Sequence, residues 1–157
     1  IVHIKLAELE KQGKLGGIIT QNIDGLHQRA GSSKVYEIHG TMERMYCARC
    51  GKNYSPDDVF DSRDAVPKCE CGGYIRPDVT LYGEMLPEDA WEDAVALLQS
   101  SDMLIVAGTS LMVSPASSLV RFFRGNTLVV MNRDETYADA NADLIFREDM
   151  AEVFAQI

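Results

Sequence analysis

Four cysteines, the only ones in the chain, fall in one short stretch as Cys47-Ala48-Arg49-Cys50 and Cys69-Glu70-Cys71, and nothing else in the sequence restricts the fold as tightly. Two thiol pairs separated by residues 51–68 have the spacing of a zinc ribbon. Four thiolates close a tetrahedral shell and leave no position for water, so a zinc held by Cys47, Cys50, Cys69 and Cys71 is structural rather than catalytic. The second pair is Cys-x-Cys rather than Cys-x-x-Cys, which crowds the knuckle, and Gly72-Gly73 lends the backbone freedom to wrap the ion. Two disulfides or free thiols are the alternatives. Paired cysteines in a chain without a secretory signal fit metal better. Between the pairs, Ser55-Pro56-Asp57-Asp58-Val59-Phe60 reads as a short helical turn opened by Pro56.

Around this module, strands and helices alternate. Residues 3–12 have helical spacing through Ile4, Leu6, Ala7 and Leu9, with Gly13 and Gly16 as stop signals. Residues 17–20 read as a buried strand, residues 24–30 as a short helix with Asp24 near its N-cap and Gly31 closing it, and residues 35–39 as a second strand. Beyond the cysteines, residues 76–84 read as extended. Pro87 opens a helix whose first turn is acidic and whose Trp91, Ala94, Val95 and Leu98 form a core stripe. Strands follow at 103–107, 127–131 and 144–146. A helix starting at Ser114-Pro115 carries Leu119, Val120 and Phe123, and Asp149 caps a last helix with Met150, Val153, Phe154 and Ile157 on one face. This alternation predicts an α/β fold with a parallel, doubly wound, Rossmann-like sheet. Residues 1–40 and 76–157 would form it, with a zinc-binding module inserted at 41–75.

Polar residues just past strand ends are where open α/β sheets bind ligands. The candidate site is therefore Thr20-Gln21-Asn22-Ile23-Asp24-Gly25-Leu26-His27 with Glu37-Ile38-His39-Gly40. The alternative is that Asn22 and Asp24 only make a turn. A nucleotide domain normally carries a Gly-rich turn after its first strand, yet no G-x-G-x-x-G occurs, so the phosphates are held differently or that part is absent. Composition narrows the partners. The 157 residues carry a net charge of −9, with no basic cluster, which argues against nucleic acid and suits a basic peptide. No apolar run reaches the roughly 18 residues of a membrane span, and the N-terminus lacks the layout of a signal peptide. The expectation is a soluble, cytoplasmic protein without a membrane partner. Its first residue is not Met, which suggests a piece of something longer.

With these residues in view, the chain resembles the sirtuins, a family of NAD-dependent protein deacylases. The resemblance rests on residues 20–27, His39-Gly40, the four cysteines, Tyr82-Gly83-Glu84, Gly108-Thr109-Ser110-Leu111 with Val113 and Pro115, and Asn132, in the family's order and approximate spacing. The family's opening Gly-Ala-Gly turn, its Ser-Gly-Ile-Pro-Asp-Phe-Arg cofactor loop and the helical segment after it have no counterpart here. The chain thus corresponds to the C-terminal two-thirds of a sirtuin. By the same analogy, the absent first strand lies mid-sheet, between the strand ending at Gln21 and the strand ending at Gly108. Such a gap exposes strand edges, and self-association is expected.

The resemblance implies NAD-dependent lysine deacetylation that yields nicotinamide and O-acetyl-ADP-ribose. The acetyl-lysine carbonyl oxygen attacks the anomeric carbon of NAD as nicotinamide departs. His39 then acts as general base on a ribose hydroxyl, work suited to imidazole. Asn22 and Asp24 orient the nicotinamide carboxamide and a water, Ile23 lies in the same cofactor-contacting loop, and Gln21 takes the ribose beside His39. Gly108, Thr109 and Ser110 approach the phosphates and the adenosine ribose. Asn132 takes that ribose's hydroxyls, with Arg133, Asp134, Asp149 and Met150 around the adenine. An acylated protein or peptide adds as a strand between Val79, Thr80, Leu81, Tyr82, Gly83 and Glu84 on one side and Leu111, Met112 and Val113 on the other. Thr80 stands where the family usually has an apolar tunnel residue. A lone histidine after a strand is most often packed or capping. The motifs around His39 reverse that reading, while His3 and His27 keep it. Mono-ADP-ribosyl transfer shares the first chemical step, and a catalytically silent zinc-containing peptide-binding or scaffold fragment is the alternative from another class.

Overall fold

The computed structural model describes residues 1–61 and 66–157; residues 62–65, inside the expected 41–75 module, lie outside the described residues. Helix α1 (Val2–Lys11) leads into strand β1 (Ile18–Thr20), short helix α2 (Leu26–Arg29) and strand β2 (Val35–Glu37). Leu6 and Val2, four apart, turn toward the cluster of Val129, Met131 and Phe154, whereas Ile4 is exposed. The inward face of α1 is thus set by where the apolar surface lies, which its periodicity alone does not say. β1 and β2 pair in parallel from Ile18↔Val35 to Thr20↔Glu37. The N-cap of α2 is Gly25, one residue later than expected, because Asp24 Oδ1 accepts from the Leu26 amide at 3.0 Å in an Asx-type turn.

An antiparallel sheet follows, in which β3 (Gly40–Cys47) lies between β4 (Asn53–Tyr54) and β5 (Ile75–Val79), and α3 (Pro56–Phe60) packs on β3. This sheet runs past the 41–75 bounds at both ends. The expected extension over 76–84 stops at Val79. Residues 81–84 then tighten into a turn, with Glu84 N donating to Leu81 O at 3.0 Å and Leu81 N donating to the Glu84 carboxylate at 2.9 Å.

Helix α4 (Glu88–Ser100) has Pro87 at its N-cap and buries Ala94 and Leu98 against Ile38, Ala116 and Leu119, with Trp91 edge-on to Phe122. Strands β6 (Met103–Ala107), β7 (Thr127–Met131) and β8 (Leu144–Phe146) form a parallel sheet in that order. The α-helix expected after Ser114-Pro115 is instead a 3-10 helix, Ala116–Phe122. There Ser118 Oγ donates to Pro115 O at 2.7 Å, a side-chain bond that competes with the α-helical ladder. A second 3-10 helix, Tyr137–Asn141, escaped the periodicity reading, although its capping box of Thr136 and Asp139 is a sequence signal. Helix α5 (Met150–Phe154) is capped by Asp149, whose Oδ1 accepts from the Ala151 amide at 2.8 Å, as expected; Ile157 lies beyond the helix and is exposed.

Among the described residues the five parallel strands form two separate sheets, β1-β2 and β6-β7-β8. Gln21, just past β1, reaches Thr109, just past β6, so these two strands face one another across an incomplete doubly wound sheet. Met103 on the unpaired edge of β6 is half exposed, where an interior strand would bury it. No helix among the described residues is long and apolar enough to cross a membrane.

Candidate functional site

Four parallel strands deliver their carboxyl ends to one place. β1 is followed by Gln21 and Asn22, the chain after β2 reaches His39, β6 is followed by Gly108, and β7 is followed by Asn132. His39 Nδ1 lies 3.1 Å from Gln21 O. A carbonyl oxygen can only accept, so Nδ1 carries the proton and Nε2 keeps a bare lone pair. The Gln21 side chain donates from Nε2 to Thr109 Oγ1 at 3.3 Å and so joins the two halves of the split sheet. Thr20 Oγ1 accepts from Asn22 N at 3.1 Å, and Ile23 O accepts from Met42 N at 2.9 Å, which braces the loop while the Asn22 side chain stays exposed. Asp24 bonds locally: its carboxylate accepts from Leu26 N in the turn before α2, and its carbonyl accepts from Arg29.

On the β6 side, Thr109 Oγ1 accepts from Leu111 N at 3.1 Å and Ser110 Oγ from Met112 N at 3.4 Å. Leu111 has φ +54 with its side chain buried in the core, a conformation that a non-glycine residue holds only when its surroundings impose it. Gly108 N donates to Met131 O at 3.0 Å, and Met150 lies against Gly108. Asn132 Nδ2 donates to Asp134 O at 2.9 Å, Arg147 donates to Asn132 O at 2.9 Å, and Arg133 pairs with Asp149 at 3.1 Å. The structure thus gathers Gln21, Asn22, His39, Gly108, Thr109 and Asn132, with Met150 at the rim. Asp24 and Ser110 bond within their own turns, and Asp134 is exposed.

The candidate peptide segments flank this place. His39 O accepts from Thr80 N at 2.9 Å, tying residue 80 to the candidate base. Leu81, Tyr82, Met112 and Val113 leave apolar side chains exposed. Arg76, read from the sequence only as the start of an extended segment, fixes the turn: it grips Glu84 at 2.5 and 2.9 Å and donates to Val79 O at 2.8 Å. The Arg76 guanidinium, aided by the Leu81 amide, pulls the Glu84 carboxyl down to about 2. His27 rests on His3, ring centroids 4.6 Å apart, in line with a packing role.

The four cysteine sulfurs all lie within 4.8 Å of one another. Cys47 and Cys71 are 3.5 Å apart and Cys50 and Cys69 are 3.6 Å apart, too far for disulfides near 2.05 Å. They are close to the roughly 3.8 Å that four Zn–S bonds of about 2.3 Å impose on a tetrahedron. Tyr54 pulls the Cys69 thiol down to about 6. At Cys71 the Gly73 amide pulls down, but burial and the neighbouring Cys69, Cys47 and Cys50 thiols push it up to about 12. Four such thiols cannot all ionise against one another, and a dication removes that conflict. The set suits one structural zinc. Arg49 buttresses it, donating from its backbone N to Cys47 Sγ at 3.4 Å and from its guanidinium to Cys71 O at 2.8 Å.

Comparison with known proteins agrees with this geometry. The family model described as "Sir2 family" matches residues 1–115. An NAD-dependent protein deacetylase of Clostridium acetobutylicum is 46% identical over 156 residues, which is 99% of this chain and 64% of that protein. One from Staphylococcus aureus is 46% identical over 154 residues, 98% of this chain and 63% of its own length. This chain therefore spans a little under two thirds of these curated relatives. Among solved structures, a complex described as Sir2 with a p53 peptide and NAD+ superimposes with TM-score 0.93 at 43% identity, covering 99% of this chain and 67% of that one. Another, Sir2Tm bound to a propionylated peptide, gives TM-score 0.92 at 43% identity, with 99% and 68% covered. Family model, sequence identity and backbone course thus agree, and the chain belongs to the Sir2 family, the sirtuins.

Proposed function

We propose that this chain carries much of the reaction centre of an NAD-dependent lysine deacylase that removes acetyl groups from lysines of proteins and yields nicotinamide and O-acetyl-ADP-ribose. The observation that carries this reading is the His39 imidazole: Gln21 O holds its Nδ1 proton, leaving Nε2 as the acceptor a general base needs. When bound, the dinucleotide would supply an anomeric carbon with nicotinamide as leaving group. His39 Nε2 would take the proton of a ribose hydroxyl. Gln21 and Thr109, which bond each other at 3.3 Å, are the groups a ribose would engage, and Asn22 would hold the carboxamide. Asp24, with Ile23 beside it, would position water. Gly108, Thr109 and Ser110 would let phosphates approach, and Asn132, Arg133, Asp134, Asp149 and Met150 would surround the adenosine.

The peptide would lie between Val79, Thr80, Leu81, Tyr82, Gly83 and Glu84 and residues Leu111, Met112 and Val113. The net charge of −9 favours basic sequences around the modified lysine. Residues 1–40 and 76–157 would serve the nucleotide and 41–75 the metal, and a reducing, cytoplasmic setting would keep the four thiols available to zinc.

The split of the parallel strands into two sheets favours a second reading, a zinc-containing peptide-binding fragment without catalysis. Nicotinamide release from NAD by the folded, zinc-loaded chain, with an acetyl-lysine peptide, separates the two. Release that needs peptide and falls about 100-fold or more in His39→Ala supports the deacylase. Peptide binding without NAD binding or nicotinamide release selects the second reading.

A further inference from the structure

The hydroxyl of Tyr54 is buried and has no hydrogen-bond partner among the described residues. Buried hydroxyls are almost always partnered, so an orphaned one calls for an acceptor nearby. The hairpin that brings Cys47 to the metal site also brings Tyr54. Tyr54 lies opposite Met45 in the β3–β4 pair, and Cys47 N donates to Lys52 O at 2.9 Å where the two strands close. Lys52 Nζ stands 5.4 Å over the Tyr54 ring and reaches Glu70, the neighbour of Cys69, at 3.1 Å. The hydroxyl thus sits inside the cysteine module, close enough to the Cys69 thiol to draw it down and outside the geometry of a formed bond.

A zinc with four thiolates carries two excess negative charges, and such sites need donors aimed at their sulfurs. Cys47 has the Arg49 amide. We propose that the Tyr54 hydroxyl donates a hydrogen bond to the Cys69 thiolate of the zinc-loaded module, which makes Tyr54 a positioning residue for the metal. The proton stays on oxygen, and the bond fixes the direction of the Cys69 lone pairs and offsets part of the charge on sulfur. The ring keeps the hydroxyl in place with few torsions to freeze, and Lys52 lies over that ring while it pairs with Glu70.

The test uses the whole chain and its Tyr54→Phe variant, loaded with zinc or with cobalt. Tyr54→Phe keeps the ring and loses the donor. Its zinc affinity, by chelator competition, is expected to fall about 10-fold or more. Its thiolate-to-cobalt charge-transfer band is expected to move to lower energy, since a sulfur without a donor gives up electrons more readily; a change in packing that left the sulfur's donor in place would not shift it that way. If the variant does not fold, NMR of the parent loaded with NMR-active cadmium decides: a slowly exchanging Tyr54 hydroxyl proton coupled to the metal supports the bond. Zinc affinity within about twofold of the parent with an unmoved cobalt band overturns it, as does a parent spectrum with no such proton. A parent that takes up no metal overturns it together with the zinc reading.

Discussion

His39, whose carbonyl holds Thr80, and Glu84, in the turn that follows Thr80, are fixed by opposite chemistry. The His39 ring is oriented by a carbonyl that only accepts, and its own carbonyl holds Thr80 N. Glu84 is fixed as a carboxylate by the Arg76 guanidinium and by the Leu81 amide. Because its carboxyl sits at about 2 in the folded chain, below the ordinary 4.5, its contribution to stability is present above about pH 4.5 and is lost as pH falls toward 2. Thermal melting of Glu84→Gln against the parent should show a deficit that is full above pH 4.5 and closes toward pH 2. Salt should shrink it, since the pair is partly open to solvent. A deficit that does not change with pH would mean that the turn is held by packing alone.

Among the elements, β3 connects the two chemistries: it leaves the candidate base at Gly40 and delivers the first metal ligand at Cys47. Gly40 has φ +76, and a Cβ there would lie 2.0 Å from Asp78 O on the paired strand β5, which is backbone and cannot step aside. Gly51 has the similar φ of +72 with open space around it. Gly40→Ala is therefore expected to lose at least about 3 kcal/mol in chemical denaturation, against about 1 kcal/mol for Gly51→Ala. Equal losses would show that only the backbone angle matters and that the β3–β5 contact is loose.

At the scale of the molecule, the split sheet is the dominant feature. Parallel strands are normally covered on both faces and paired on both sides, yet β1 and β6 have one partner each among the described residues, and Met103, Ile1 and Ile4 are exposed. Unpaired edges template pairing with another chain. Light scattering across a concentration series should show this chain associating with itself, and a strictly monomeric species at every concentration would count against exposed edges in solution.

The sequence by itself determined whatever depends on neighbours along the chain. The cysteine spacing, the Asp149 cap, the Pro87 start of α4 and the Trp91, Ala94, Leu98 stripe were legible because a cap, a knuckle or a helical face is built within a few residues. The family motifs were legible in the same way, as ordered short words. Only the tertiary structure decided which strand tips meet. The Gln21–His39 and Gln21–Thr109 contacts, the Arg76 grip on Glu84 and the burial of the Tyr54 hydroxyl in the cysteine module come from sheet register and packing between distant segments. It also decided the inward face of α1 and the 3-10 form of residues 116–122, where apolar periodicity is satisfied equally well by another rotation or another helix. Local chemistry sets which elements form, and the burial of shared apolar surface sets which residues meet.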